Sequence, residues 1–130
     1  MPEEGIMIPD SPIALQEVLA RLRTGKSGSI VIHIGIVRPV SDGREVGSIE
    51  YKVAEEEATQ ELTAIASEVK GKWKIEDLAL ARRAGQLENG ETILVAAVSA
   101  PHRKEAFEAC DFAVERMRKM ASIQKKELFK

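Results

Sequence analysis

The residues with the most chemical reach in this sequence are cations set at the ends of apolar segments. In "SAPHRKEAF", residues 99–107, an apolar run leads into Pro101 and then His102, Arg103 and Lys104, in what reads as the first turn of a helix. The exposed N–H groups of such a turn already carry partial positive charge, so cations there are mildly unfavourable unless an anion offsets them. Either a phosphate or carboxylate binds at this helix start, or the long side chains reach into water with Glu105 screening them. Arg38 ends another apolar run and precedes Pro39, which keeps its backbone extended. Its guanidinium can grip an oxyanion with two hydrogen bonds or make a surface ion pair. Arg82 and Arg83 interrupt "LALARRAG", and strand alternation sends one to each face, so at most one shares a pocket with Arg38. "SIQKKELFK" closes the sequence with Lys125, Lys126, Glu127 and Lys130, which form either a solvated tail or an ammonium group held for chemistry.

Other reactive side chains point to structure. His33 in "IVIHIGI" has no second His or any Cys at ligand spacing, so a hydrogen-bonded structural histidine is expected rather than a metal site. Cys110 lies on an apolar helical stripe, where a thiol behaves as a small hydrophobe rather than a nucleophile. No Ser-His-Asp order, glycine-rich phosphate loop or metal-binding cluster names a reaction.

The elements that must position these groups follow from periodicity. "DSPIALQEVLARLRTG" starts with Asp10 or Ser11 as cap and Pro12 at the first helical position, carries Leu15, Val18, Leu19 and Leu22 on one stripe, and stops at Gly25. "GSIVIHIGIVRP" alternates Ile30, Ile32, Ile34 and Ile36 against Val31, His33, Gly35 and Val37, a strand ended by Pro39. Asp42-Gly43 is hairpin chemistry, with residues 46–53 as the partner strand. Ala58, Leu62, Ile65 and Val69 predict a second helix ending near Gly71. "KIEDLALARRAG" and "ETILVAAVSA" predict a further hairpin around Asn89-Gly90, and Phe107, Cys110, Val114, Met117 and Ala121 a third helix over roughly residues 101–121. Hairpin links between strands predict an α+β fold with an antiparallel sheet and three main helices rather than a doubly wound parallel sheet.

Composition sets the outer bounds. At 130 residues the chain fits a single domain, 1–130, and 4% aromatic content requires a core of Ile, Leu, Val, Ala and Met. A net charge of −2 argues against a general nucleic-acid partner on electrostatic grounds, and stacking residues are few. One cysteine excludes an internal disulfide, and "MPEEGIMIPD" shows neither a basic start nor a long apolar run, so a cytoplasmic protein without a membrane segment is expected.

Three stretches together, "GSIVIHIGIVRPVSDGREVGSIEY", "RRAGQLENGETILVAAVSAPHRKEAFEACDF" and "SIQKKE", resemble the large, catalytic subunit of molybdopterin synthase, in the same order over residues 28–128. The resemblance implies an α/β hammerhead fold and a homodimer that binds a small ubiquitin-like sulfur-carrier subunit at each end, giving a heterotetramer. It implies that the carrier's C-terminal Gly-Gly thiocarboxylate passes sulfur to cyclic pyranopterin monophosphate, forming the dithiolene of molybdopterin, with no permanently bound cofactor and no metal. By position, Arg38, His102 and Arg103 would line the pocket and hold the substrate's phosphate or the carrier's carboxyl group. Lys125 would be the catalytic lysine, with Lys126 and Glu127 beside it at the substrate. Arg118 stands where the family pattern carries a lysine; it keeps the charge for substrate binding but does not readily release a proton. Neighbouring Lys119 is turned by about 100° on a helix. Gln124 and Ser122 replace a usual aromatic and proline, Arg82-Arg83 a usual His-Arg, and relatives extend a covering tail past the position of Lys130. The alternative is a non-catalytic relative of the same fold that binds a pterin phosphate or a partner's C-terminal tail.

Overall fold

The computed structural model describes residues 5–129. Its elements run β1 (Ile6–Met7), α1 (Leu15–Ala20), β2 (Ser29–Ile36), β3 (Val40–Ser41), β4 (Arg44–Val53), α2 (Glu55–Lys72), β5 (Asp77–Arg82), β6 (Gly85–Glu88), β7 (Thr92–Ala100), α3 (Arg103–Met117) and β8 (Ile123–Phe129). One sheet has the order β1-β5-β7-β2, antiparallel except where β1 joins β5. The second has the order β3-β4-β6, with β8 also paired to β4. The mixed α+β architecture with antiparallel-dominated sheets is the expected one.

Alternation along β5 and β7 divides the interior. Leu78, Leu80, Leu94, Ala96 and Val98 face α2 and α3, whereas Ala79, Ala81, Val95 and Ala97 face α1. The stripe Ala58, Leu62, Ile65 and Val69 of α2 is buried, with Glu55 to Glu57 in its first turn and Lys70 and Lys72 in its last, the arrangement that suits the helix dipole. Ala106, Ala109 and Ala113 on α3 are fully buried, and such small residues let that helix lie close to the sheet. Leu62 is fully buried as well; its truncation to alanine would cost about 2–5 kcal/mol.

Several expectations need correction. Helix α1 is shorter than residues 10–25 and has Ala14, not Asp10 or Ser11, as its cap; a backbone bond from Ala84 N–H to the Pro9 carbonyl, 2.9 Å, ties the chain along the sheet just before it. The Asp42-Gly43 turn forms with φ of 51° and 77°, the two positive angles of a type I′ hairpin. It joins β4 only to the two-residue β3, however, while β2 pairs with β7. The isoleucines of β2 are not core: Ile30, Ile32, Ile34 and Ile36 are 38–53% exposed, because β2 is the sheet's edge and the six-residue α1 packs over β5 and β7. Phe107 is exposed too, since α3 turns Ala106 and Cys110 toward the sheet instead. Strands β5 and β7 do pair, but between them the chain enters the second sheet as β6. The closing segment is no tail: β8 pairs with β4 from Val46 to Val53. Among the described residues no helix is long and apolar enough to cross a membrane. Lys130 lies outside the described residues.

Candidate functional site

The two sheets and the C-terminal end of α3 enclose a cavity of about 550 Å³, a size suited to a small-molecule ligand. Strand β2 contributes His33 and Gly35 and leads into Arg38; β4 gives Tyr51, β5 gives Arg82, the end of α3 gives Arg118, and β8 gives Lys125. This lining holds four Arg and Lys side chains and no Asp or Glu, so it favours a guest with more than one negative charge. A side chain at Gly35 would place its Cβ 3.3 Å from Leu94 Cγ, a tight contact at the wall.

Register places the lysine. Lys125 stands opposite Tyr51 across β4 and β8, so both side chains project from the same face. Glu127, two residues on, shares that face, and its Oε1 lies 3.2 Å from Lys125 Nζ. The Ser41 hydroxyl, then Lys125 and Arg38, hold the Glu127 carboxyl below its usual range against a partial desolvation that opposes them. The strand's entry is anchored from α2: the Glu61 carboxylate accepts hydrogen bonds from Ser122 N–H at 2.7 Å and Ala121 N–H at 3.1 Å. Burial raises the Glu61 pKa, but hydrogen bonds from Ser122 and Ala121 outweigh it and leave the group more acidic than usual.

Arg38, Arg118 and Lys125, from three separate stretches of sequence, therefore share one cavity. Lys126 occupies the other face of β8, opposite Glu50, and is not part of the lining. His102 and Arg103 sit exposed at the start of α3, away from the cavity within this chain. Lys119 points into the groove between α2 and α3 and pairs with Glu115 at 3.9 Å, so it does not stand in for Arg118.

One cavity residue escaped the sequence reading, and a second was narrowed only to a pair. Tyr51 gave no signal, because its position depends on β8 being a strand. Arg82 was one of two candidates, and alternation was the right guide: Arg82 faces the cavity, whereas Arg83 reaches Glu91 at 3.5 Å and donates to the Gln86 carbonyl at 3.3 Å. Burial lowers the Arg82 pKa, with Tyr51 acting in the opposite sense. His33 is exposed at the cavity wall rather than a packed structural histidine. Cys110 is 3% exposed, its Sγ 3.6 Å from the Ala96 carbonyl, and burial pushes its thiol up to about 11, which suits a core residue and not a nucleophile. Among the described residues no cluster of three His, Cys, Asp or Glu is placed to hold a metal ion.

A family model described as MoaE protein matches residues 8–120. The molybdopterin synthase catalytic subunit of Bacillus subtilis is 36% identical over 126 residues, covering 97% of this chain and 80% of that protein. The same subunit of Pyrococcus abyssi is 36% identical over 114 residues, covering 88% of this chain and 77% of that protein. The crystal structure of molybdopterin synthase from Staphylococcus aureus superimposes with a TM-score of 0.89 at 29% identity, covering all of this chain (100%) and 93% of the other.

Proposed function

The chain belongs to the MoaE protein family, and on that premise we propose that it is the catalytic subunit of a molybdopterin synthase, a sulfurtransferase. Its substrate is cyclic pyranopterin monophosphate, and the sulfur comes from the C-terminal thiocarboxylate of a small ubiquitin-like carrier ending in Gly-Gly. No resident cofactor is needed, because the sulfur arrives on the partner's tail. The observation that carries this reading is the convergence of Arg38, Arg118 and Lys125 on one cavity free of lining carboxylates.

Each residue has a role in this scheme. Lys125 donates a proton to, or stabilises negative charge on, the oxygen that leaves as sulfur enters. Arg38 and Arg118 hold the phosphate or the carrier's terminal carboxyl group, and Arg118 acts as an anion ligand rather than a proton donor. Glu127, 3.2 Å from Lys125, orients the ammonium group. Lys126 faces away from the cavity, so a contact to substrate from it requires a guest that overhangs the strand.

His102 and Arg103 join the site through a homodimer. The exposed isoleucine row lies on an edge strand, where an apolar, unpaired surface calls for a cover, and a second copy offers an identical row. Packing two β2 strands antiparallel about a two-fold axis brings the Ser29 end of one beside the Ile36 end of the other. The Ser29 end adjoins Pro101, since Gly28 N–H bonds the Ala100 carbonyl at 3.1 Å. His102 and Arg103 of one copy then approach the Arg38 end of its mate.

Reconstitution tests the function: the protein, mixed with a thiocarboxylated carrier and the pyranopterin precursor, should yield dithiolene product. Tight binding of both without any product would instead favour the non-catalytic relative.

A further inference from the structure

Arg82 is a buried cation without a counter-ion. It is 6% exposed, its Nε is buried with no hydrogen-bond partner, its NH1 donates a long bond of 3.4 Å to the Ile93 carbonyl, and the only side chain among the described residues that hydrogen-bonds it is the uncharged Tyr51. Its Cζ lies 4.4 Å from the centre of the Tyr51 ring, and among the described residues no carboxylate pairs with it. Arg83, equally buried at 6%, has Glu91 at 3.5 Å. Moving a charge out of water without an opposite charge is strongly disfavoured. The cavity that Arg82 lines supplies none, since its other charged side chains are Arg38, Arg118 and Lys125.

We propose that Arg82, seated on Tyr51, is the inner oxyanion ligand of this cavity, a substrate-binding residue whose charge is completed by the bound guest. A planar guanidinium held against an aromatic face keeps its orientation and presents paired N–H donors that match two oxygens of one group. Tyr51 is also the direct cross-strand neighbour of Lys125, with Cβ atoms about 4.5–5.5 Å apart in such pairs. An oxyanion on Arg82 is thereby fixed beside the ammonium group. Whether that oxyanion is the pterin's phosphate or a terminal glycine's carboxylate rests on the sulfur-transfer reading; the site itself does not.

The test is calorimetry and thermal melting of the wild type, Arg82→Met and Arg82→Lys, with inorganic phosphate and with a peptide ending in Gly-Gly as separate probes. Without a probe, Arg82→Met should melt higher than the wild type, because a desolvated charge is gone. It should bind the relevant probe about ten- to hundredfold more weakly, the effect of losing a charge-assisted contact. Arg82→Lys, which keeps the charge and serves if Arg82→Met does not fold, should fall between them. Loss confined to phosphate or to the peptide identifies the oxyanion. Undiminished binding of both probes by the variants would overturn the proposal. Turnover is not required, so a wild type that binds a probe through Arg82 yet makes no dithiolene supports the site and refutes the sulfur-transfer reading.

Discussion

Tyr51 and Lys125 are direct partners across the antiparallel pairing of β4 and β8, with Glu127 on the same face two residues further along. The lysine therefore projects from a strand locked in register to the middle of the second sheet, not from a mobile end. Its side chain is still 48% exposed, open to a guest and to water.

Lys125→Ala should lower the rate of dithiolene formation by about 10²–10⁴-fold, the range of a lost general acid. The fold should survive, because an exposed ion pair contributes about 0–1 kcal/mol. Turnover measured beside a melting curve checks this, and a variant as fast as the wild type would remove Lys125 from the chemistry.

Arg118→Lys separates binding from proton transfer. As an anion ligand, Arg118 should give a variant whose KM for the pterin rises about three- to tenfold, the loss of part of a bidentate contact, with kcat little changed. A clear gain in kcat would show instead that the arginine restrains a proton transfer at this position.

Glu127 ties stability to acid. Its carboxyl is held below the ordinary value of 4.5 by Ser41, Lys125 and Arg38, so its contribution is complete above that value and disappears as pH falls through the lower folded value. Glu127→Gln should melt below the wild type at pH 7, and the two curves should meet in acid. A gap that persists unchanged at low pH would count against the ion-pair explanation.

Mixing two inactive variants tests the shared site. Lys125→Ala and Arg103→Ala, refolded together in equal amounts, should recover about a quarter of wild-type activity, since half the pairs are hybrids with one intact site of two. No recovery would mean that Arg103 serves its own chain's cavity, and an Arg103→Ala variant as active alone as the wild type would mean that it serves none.

Much of the fold was legible where burial and periodicity agree. The α2 stripe of Ala58, Leu62, Ile65 and Val69 is buried as expected, because one helical face meets one sheet. Periodicity failed where an element's partner lies outside its own segment. The alternation of Ile30 to Ile36 is real, yet the row faces outward because nothing in the local sequence reports that α1 stops short of it. The resemblance groups Arg38, His102, Arg103, Arg118 and Lys125; the fold brings Arg38, Arg118 and Lys125 to one cavity and leaves His102 and Arg103 outside it within this chain. Tyr51 was invisible because its role depends on pairing with Lys125, 74 residues further along, in a strand that charge-rich "QKKELF" does not announce by hydrophobicity.

The path of the chain between Arg82 and Thr92 bears on how a guest enters. It leaves the first sheet, pairs with β4 as β6 and returns as β7, braced by Arg83 N–H to the Ile93 carbonyl at 2.8 Å and by Asn89 Nδ2 to the Val46 carbonyl at 2.8 Å. Both walls are thus stitched by one short span and cannot slide apart while it holds. The ordering cost of the receptacle falls on folding rather than on association, so a guest meets a mould already set and its affinity need not fund a closing motion.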